Sequence, residues 1–410
     1  MGVFGAADHH VHRCRRASLN PLFSRSCATA AEGLIYDKLD LLTKHIDARI
    51  TSQGHVDMRL AFLSLATDVV SEYCLGRSFR TLEDETIQKE WYGAIRGLAG
   101  GVPYLRQFSW LMTLSNKLPV FIMRMVSPGM ANIAVAHHNL KLEALQAVTE
   151  HENGGKYSEV SPHPRERFAI FRAVLQHHGL PPHEKVYNRI YYEAVTMMAA
   201  GSETTASTLM VAFYFVIADK GDLLSRLRDE IKPLVTGVPK PSTIELERLP
   251  LLTAVIKEAL RMTALTARLT RVAPEEALQY KNWVIPAGTP VGITLRDISF
   301  DPEIYRSPME FRPERWLPGN PELDRCNRSF VGFGRGTRSC IGMNLANAEL
   351  YIVLVKLFCY RDFELFNTIR ERDVDFVRDF FIGETSPKGK GVRVTYASPS
   401  SQEPSEKRSR

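Results

Sequence analysis

Between Phe333 and Gly342 the chain reads Phe-Gly-Arg-Gly-Thr-Arg-Ser-Cys-Ile-Gly, so a single cysteine, Cys340, stands in a glycine-rich loop two residues after Arg338. The pattern FxxGxRxCxG fixes five positions, and at average residue usage it arises by chance in roughly 1 in 10⁴ chains of this length. A thiol has to be held as its thiolate to ligate a metal, which calls for positive charge or aligned backbone N–H groups around the sulfur. Gly334, Gly336 and Gly342 permit the tight or left-handed turns that point amides at that sulfur, and without Cβ atoms they let a flat macrocycle lie against the loop. The residues after it, among them Ile341, Met343, Leu345, Ala346, Ala348 and Leu350, suit a helix whose N-terminal dipole favours an anion. Alone, a cysteine is more often an ordinary buried residue than a ligand. The surrounding pattern reverses that weighting.

The loop resembles the haem-binding loop of the cytochrome P450 superfamily. The resemblance implies that Cys340 is the thiolate ligand of haem b, that Arg338 pairs with a haem propionate, and that Phe333 and Gly336 shape the cradle. Thiolate ligation pushes electron density to the iron and favours O–O cleavage. Ala200-Gly201-Ser202-Glu203-Thr204-Thr205 lies in a long apolar segment, from about Val186 to Ala218, whose interior lacks proline and whose length suits a helix. Gly201 removes a side chain where a ligand must come close, and a threonine hydroxyl can compete for a helical carbonyl, so this stretch can open and admit water. It is similar to the family's distal groove, which makes Glu203 and Thr204 the acid–alcohol pair that steers protons to iron-bound dioxygen. Met197, Ala200 and Thr205 then fall on the substrate side. A helix with a solvated glutamate and back-bonded threonines is the plainer alternative.

Three stretches fit the letters ExxR, beginning at Glu245, Glu258 and Glu303. Only Glu258 lies late in an apolar-periodic run (Leu251, Leu252, Val255, Ile256, Ala259, Leu260), where residues three apart share a helix face and Glu258 can interlock with Arg261. Phe311-Arg312-Pro313-Glu314-Arg315-Trp316 resembles the family segment whose arginine completes a Glu-Arg-Arg cluster, making Arg315 the third member. Buried charges are tolerated only when paired, so the cluster reads as structural. Arg268 to Val272 and Lys281 to Thr289 suit short strands. By resemblance, Arg271 reaches a propionate as a charge-assisted donor, while Leu265 and Thr266 line the substrate cavity. Phe380-Phe381-Ile382-Gly383 is similar to the turn that enters the pocket from the C-terminal side, with Phe381 facing the substrate; an aromatic core pair explains it as well.

The opening segment, with His10, His12, Arg13, Arg15 and Arg16 before Leu19-Asn20-Pro21-Leu22-Phe23-Ser24, resembles the helix that touches the propionates in fungal members of the family. His12 and Arg16 stand where a tryptophan and an arginine are more usual. A zinc-like site at His9, His10 and His12 is the alternative; no partner group with suitable spacing follows. In the family this helix normally follows a membrane anchor, the first strands and a pocket-capping loop, so the expectation is an N-terminally truncated form, with an unpaired sheet edge and an open pocket. No apolar run of about 18 residues and no signal-peptide layout is evident in the sequence.

The fold implied is mainly α with a small β-rich lobe, a cytochrome P450 fold lacking that anchor, those strands and that loop. It forms one domain over 1–396, and the Ser-, Pro- and charge-rich stretch 397–410 is expected to be disordered. Cys14, Cys27, Cys74, Cys326, Cys340 and Cys359 form no CxxC pair, which fits a reducing compartment. A net charge of +6 is compatible with an acidic redox partner and equally with a basic solvated surface, and outside the short Arg cluster at 13–16 no recognition motif or dense basic stripe points to nucleic acid.

The resemblance, closest to trichodiene oxygenase-like fungal microsomal members, implies a monooxygenase of fungal secondary metabolism. It would draw NADPH-derived electrons through NADPH-cytochrome P450 reductase and insert one atom of dioxygen into an apolar terpenoid or polyketide-like molecule. A full-length form would sit on the cytosolic face of the endoplasmic reticulum membrane. A haem-thiolate isomerase, a peroxide-driven enzyme and a non-catalytic truncated product remain as alternatives.

Overall fold

The computed structural model describes residues 2–108, 110, 128–154, 165–264 and 268–397. Leu265 and Thr266, and the tail from 398 onward, lie outside the described residues. In chain order the helices are α1 (His9–Leu19), α2 (Arg25–Ala30), α3 (Glu32–Gln53), α4 (Met58–Leu75), α5 (Glu85–Gln107), α6 (Pro128–Glu152), α7 (Ala169–Leu175), α8 (Tyr187–Ala218), α9 (Leu223–Gly237), α10 (Thr243–Leu246), α11 (Pro250–Met262), α12 (Leu295–Ser299), α13 (Leu323–Ser329), α14 (Met343–Tyr360) and α15 (Arg370–Asp373). The strands are β1 (Val56–Asp57), β2 (Arg268–Val272), β3 (Leu278–Tyr280), β4 (Trp283–Ile285), β5 (Pro290–Thr294), β6 (Phe363–Leu365), β7 (Arg378–Phe380), β8 (Ile382–Glu384) and β9 (Arg393–Tyr396).

Helix α8 organises the rest. Its 32 residues give a rod of about 48 Å, and it packs against α4, α6, α11 and α14. Helix α4 is buried over nearly its whole length, which accounts for its continuous apolar run of Leu, Ala, Val and Phe rather than a single stripe. It starts where Asp57 Oδ1 accepts from the Arg59 N–H at 2.9 Å and stops at Gly76, which takes φ 71°. A Cβ at Gly76 would also meet the Arg167 backbone at 2.6 Å, so both conformation and close approach require glycine there.

The ends of the site-bearing helices are fixed by local chemistry. Asp8 Oδ1 accepts from the Val11 N–H at 2.8 Å and opens α1. Helix α11 begins at Pro250, and the carboxylate of Glu230 on α9 accepts from the next two amides, Leu251 at 2.8 Å and Leu252 at 2.9 Å. Helix α14 is long and apolar enough to cross a membrane by length and composition, although the sequence reading found no such run. The fold uses it instead as a core helix, with Leu350, Ile352, Val353, Leu354 and Leu357 almost fully enclosed.

The strands are short and antiparallel. Strands β1, β9 and β6 form a three-stranded sheet, with Val56 opposite Val394 and Phe363 opposite Tyr396. Strands β2 and β5 pair from Arg268 with Thr294 to Val272 with Pro290, and β3–β4 and β7–β8 are two-stranded hairpins. The β2–β5 pair directly follows α11, so Arg271 is carried to the rim of the helical body.

Candidate active site

The cysteine loop is built by its own backbone. The Gly334 N–H donates to Val331 O at 2.8 Å, the Ser339 N–H to Gly336 O at 3.0 Å, and the Cys340 N–H to Phe333 O at 2.8 Å. Gly334 and Gly336 hold φ of 67° and 75°, and a Cβ at Gly336 would meet nothing within 4 Å. Glycine is therefore needed there for the turn and not for packing.

Cys340 carries exposed surface, yet burial pushes its thiol up, while a hydrogen bond from the Gly342 backbone and the positive charge of Arg16 pull it down. Gly342 also caps α14, so the helix dipole acts in the same direction as its N–H. An isolated thiol here favours the neutral form. A cation at the sulfur reverses that preference, because a coordinating thiol is deprotonated outright.

Next to this loop stand three arginines and a histidine. Arg16 Nη1 donates to Ser339 O at 2.7 Å. Arg338 Nη1 donates to Ala6 O at 2.7 Å and Nη2 to Ala7 O at 3.3 Å, and Arg271 Nη1 donates to its neighbour Thr270 O at 3.0 Å. Burial and then the charges of Arg271 and Arg16 hold Arg338 below its ordinary value. Burial, then Arg338 and Arg16, push His12 down to about 4. Among the described residues no salt bridge joins Arg16, Arg271 or Arg338 to a carboxylate.

Convergent cations without an acid are unfavourable by themselves. A ligand bearing carboxylates beside the sulfur resolves both problems, since it neutralises the arginines while its metal takes the thiolate. The residues present therefore fit haem, with Cys340 for the iron and Arg16, Arg271 and Arg338 for the propionates. His12 is buried, whereas its neighbours His9 and His10 are exposed and stack edge-to-face at 5.8 Å. The three imidazoles therefore do not converge on one point.

On α8 two adjacent faces differ sharply. Ala200 and Thr204 are exposed and Thr196 is half-buried, and these residues, four apart, share one accessible stripe. The Thr204 hydroxyl donates back to Ala200 O at 2.7 Å. Thr208, one turn on, donates to Thr204 O at 3.0 Å and lies 3.0 Å from the Thr263 hydroxyl at the end of α11.

The other face carries Met197, Gly201 and Thr205, and it is turned toward α4. A Cβ at Gly201 would lie 2.8 Å from Val70 Cγ2. The expectation that Gly201 clears space for a ligand is thus corrected: it clears space for a neighbouring helix. Met197 and Thr205 are buried and are not brought to the accessible stripe, so of the α8 residues expected against substrate only Ala200 reaches it.

Glu203 is also buried, and it is ion-paired where a solvated acid would be free. Its Oε1 accepts from Arg59 Nη2 of α4 at 3.0 Å and from Ser207 Oγ at 3.4 Å, while Oε2 has no hydrogen-bond partner among the described residues. Arg59 Nη1 also donates to Glu384 Oε1 of β8 at 3.0 Å, and Glu384 pairs with Arg96 of α5. Arg59, Arg96 and Glu384 were missed by sequence reasoning. Nothing in their spacing marks them, because Arg59 and Glu384 are 325 positions apart.

Away from these faces Glu258 is fully enclosed with both its arginines. Its carboxylate accepts from Arg261 Nε at 3.0 Å and Nη2 at 2.9 Å, Arg315 Nε at 3.2 Å, the Arg312 N–H at 2.9 Å and Trp316 Nε1 at 2.8 Å. Arg261 Nη1 continues to Ser299 O at 2.8 Å, so the cluster ties α11 to α12 and to the Pro313–Trp316 turn. Phe333 is half-buried against the core, and Phe381 sits at the tip of the β7–β8 hairpin in edge-to-face contact with Phe4 at 5.6 Å.

The cytochrome P450 family pattern matches residues 1–378 of the chain. A cytochrome P450 monooxygenase of Aspergillus aculeatus, vrcB, is 36% identical over 400 residues, covering 96% of this chain and 74% of that protein. The tryptophan 6-hydroxylase fscE of Fusarium equiseti is 35% identical over 398 residues, covering 96% and 75%. The N-acetyltryptophan 6-hydroxylase ivoC of Emericella nidulans is 33% identical over 391 residues, covering 94% and 74%. In architecture the chain is similar to the haem domain of cytochrome P450DA, with a TM-score of 0.71 at 18% identity over 97% of this chain and 80% of that one.

Proposed function

This chain belongs to the cytochrome P450 family and is a haem-dependent monooxygenase of that family, and from that premise we propose that it oxidises an apolar small molecule of fungal secondary metabolism. The observation that carries the site assignment is the grouping, beside the Cys340 loop, of Arg16, Arg271 and Arg338, which among the described residues form no salt bridge with a carboxylate, Arg16 acting directly on the sulfur. Haem at this position supplies the reductive activation of dioxygen, with one oxygen atom going to substrate, the other to water, and two electrons coming from NADPH. NADPH-cytochrome P450 reductase is the proposed electron donor, and the cytosolic face of the endoplasmic reticulum membrane the proposed location.

The chain's own residues divide the work by position. Cys340 gives its sulfur as thiolate, aided by the Gly342 N–H and Arg16. Arg338, Arg271 and Arg16 would hold the haem propionates as charge-assisted donors. Thr204 is the proton-bearing group on the accessible stripe of α8, and to donate toward that side its hydroxyl releases Ala200 O. Glu203 acts from one residue away: Arg59 holds one carboxylate oxygen, and the other is left as an open acceptor.

The apolar substrate is supported by the accessible stripe, which offers alanine and threonine methyl surface. A terpenoid or polyketide-like skeleton is the reading that the fungal resemblance favours. The relatives named for tryptophan and N-acetyltryptophan hydroxylation support a ring-bearing compound.

The test combines the purified protein, reductase, NADPH and ¹⁸O-labelled dioxygen, with oxygen uptake and product mass as readouts. One labelled atom per product, matched to NADPH consumed, supports a monooxygenase. Product formed only with added peroxide, or rearranged product without oxygen uptake, replaces the reading with peroxide-driven or isomerase chemistry.

A further inference from the structure

Residues 2–7 link the cysteine loop to α8 through an unbroken run of hydrogen bonds. The Val3 N–H donates to Glu193 Oε2 of α8 at 2.7 Å. The Ala6 N–H donates to Val3 O at 3.3 Å and the Gly5 N–H to Gly2 O at 3.2 Å, so the segment coils on itself. Ala6 O then accepts from Arg338 Nη1 at 2.7 Å, and Ala7 O from Arg338 Nη2 at 3.3 Å. Val3 and Ala6 are buried. Gly2 is seated so closely on α8 that a Cβ there would lie 2.7 Å from Tyr192 O and 2.9 Å from Glu193 Oε2.

A second link runs from the same loop to the same glutamate. Arg16 of α1 donates to Ser339 O, and its neighbour Arg15 holds Glu184 through Nε and Nη2, each at 2.8 Å. Glu184 also pairs with Arg189, whose Nη1 donates to Glu193 Oε1 at 2.5 Å. The contacts therefore form a closed circuit that leaves the cysteine loop at Ser339 and returns to it at Arg338. Arg15 and Arg189 balance Glu184 and Glu193, so the circuit is neutral without drawing on Arg16, Arg271 or Arg338.

Glu193 is the joint of the two links. Its side chain is 0% exposed, and an enclosed carboxylate is costly unless its oxygens are satisfied. Arg189 satisfies Oε1 and the Val3 N–H satisfies Oε2, so the segment has to be seated for this end of α8 to close. A guanidinium is a rigid planar fork. Carbonyls fixed on both Nη atoms set the plane of Arg338, and these bonds occupy two of its five N–H donors.

We propose that Glu193 is a positioning residue for the cofactor: through Val3 and Ala6 it sets the plane in which Arg338 offers its remaining donors to a haem propionate. This role rests on the haem reading of the cysteine site. Glu193 acts through Arg338 and not by contact with the haem.

Haem transfer from the loaded protein to apomyoglobin, read together with the propionate bending bands of the resonance Raman spectrum, tests this role. Glu193→Gln leaves one oxygen for two donors. It should speed transfer by about 2- to 12-fold, the range covered by one ordinary hydrogen bond, and shift the propionate bands. Gly2→Ala, which lifts the segment off α8 and keeps every charge, should do the same. In an Arg338→Leu background Glu193→Gln should add no further acceleration, since a residue that acts through another is not additive with it. Unchanged transfer and unchanged bands in both variants, or an acceleration of equal size with and without Arg338, overturns the role and leaves Glu193 as a packing residue. A wild type that takes up no haem fails the haem reading itself and takes the positioning role with it.

Discussion

Replacing Glu258 by glutamine keeps the shape of the side chain and removes one negative charge from a fully enclosed position. Glu258, Arg261 and Arg315 are each 0% exposed at the side chain, and the carboxylate accepts from five donors. The amide has one oxygen, and its NH₂ would face N–H groups where an acceptor is needed. Two buried guanidiniums then share no counter-charge, apart from the 3.5 Å approach of Arg315 to Glu322.

Breaking a buried pair in this way costs about 3–5 kcal/mol. With an unfolding entropy of about 2.1 cal/mol/K per residue, or roughly 0.9 kcal/mol/K for this chain, that cost lowers the apparent thermal midpoint by about 3–6 °C. The assay follows circular dichroism on heating, together with haem retained after gel filtration. An equal loss is expected in Arg261→Met, because Glu258 then keeps only part of its compensation. A shift of less than about 1 °C in Glu258→Gln would refute the view that this enclosed charge network holds α11 to the 313–316 turn.

Arg338→Leu should raise the rate at which haem passes to an apomyoglobin acceptor by roughly 10- to 100-fold, the equivalent of about 1.5–3 kcal/mol for a charge-assisted hydrogen bond; an unchanged rate removes the propionate role. Gly201→Ala should destabilise by about 1–3 kcal/mol, read from the thermal midpoint, because Val70 is buried and cannot yield to a methyl at 2.8 Å. Glu184 is held down to about 2, chiefly by the Arg15 guanidinium and also by Arg189. A carboxylate depressed from about 4.5 adds stability above that pH and loses it as pH falls toward 2. Glu184→Gln should therefore flatten the fall in thermal midpoint between pH 4.5 and 2, and a fall as steep as in the wild type argues against it.

What could be read in advance was whatever local spacing encodes. The cysteine loop announced itself because its glycines and arginine act within ten residues of one another. Glu258 and Arg261 announced themselves because three residues make one helix face. The register of α8 was not readable in the same way. A helix of this length is apolar on most sides, and composition alone does not say which face meets α4, so Gly201, Met197 and Thr205 were placed toward the ligand. The fold turns them to α4 and leaves Thr196, Ala200 and Thr204 accessible.

Long-range charge partners were likewise invisible. The Arg59–Glu384 contact joins positions 325 apart and the Val3–Glu193 contact positions 190 apart, and neither is marked by any local spacing. The left-handed Phe381 ran against expectation for a different reason: turn propensity assigns that conformation to glycine or asparagine, and only the packed structure shows a phenylalanine paying its cost.

The account stands on a bond between the sulfur of Cys340 and haem iron. X-ray absorption at the iron edge of the purified ferric protein reads the metal's nearest neighbours directly. One sulfur scatterer beside the four porphyrin nitrogens, lost in Cys340→Ser, is the predicted result. A nitrogen-only or oxygen-only shell in the wild-type, haem-loaded protein would contradict it.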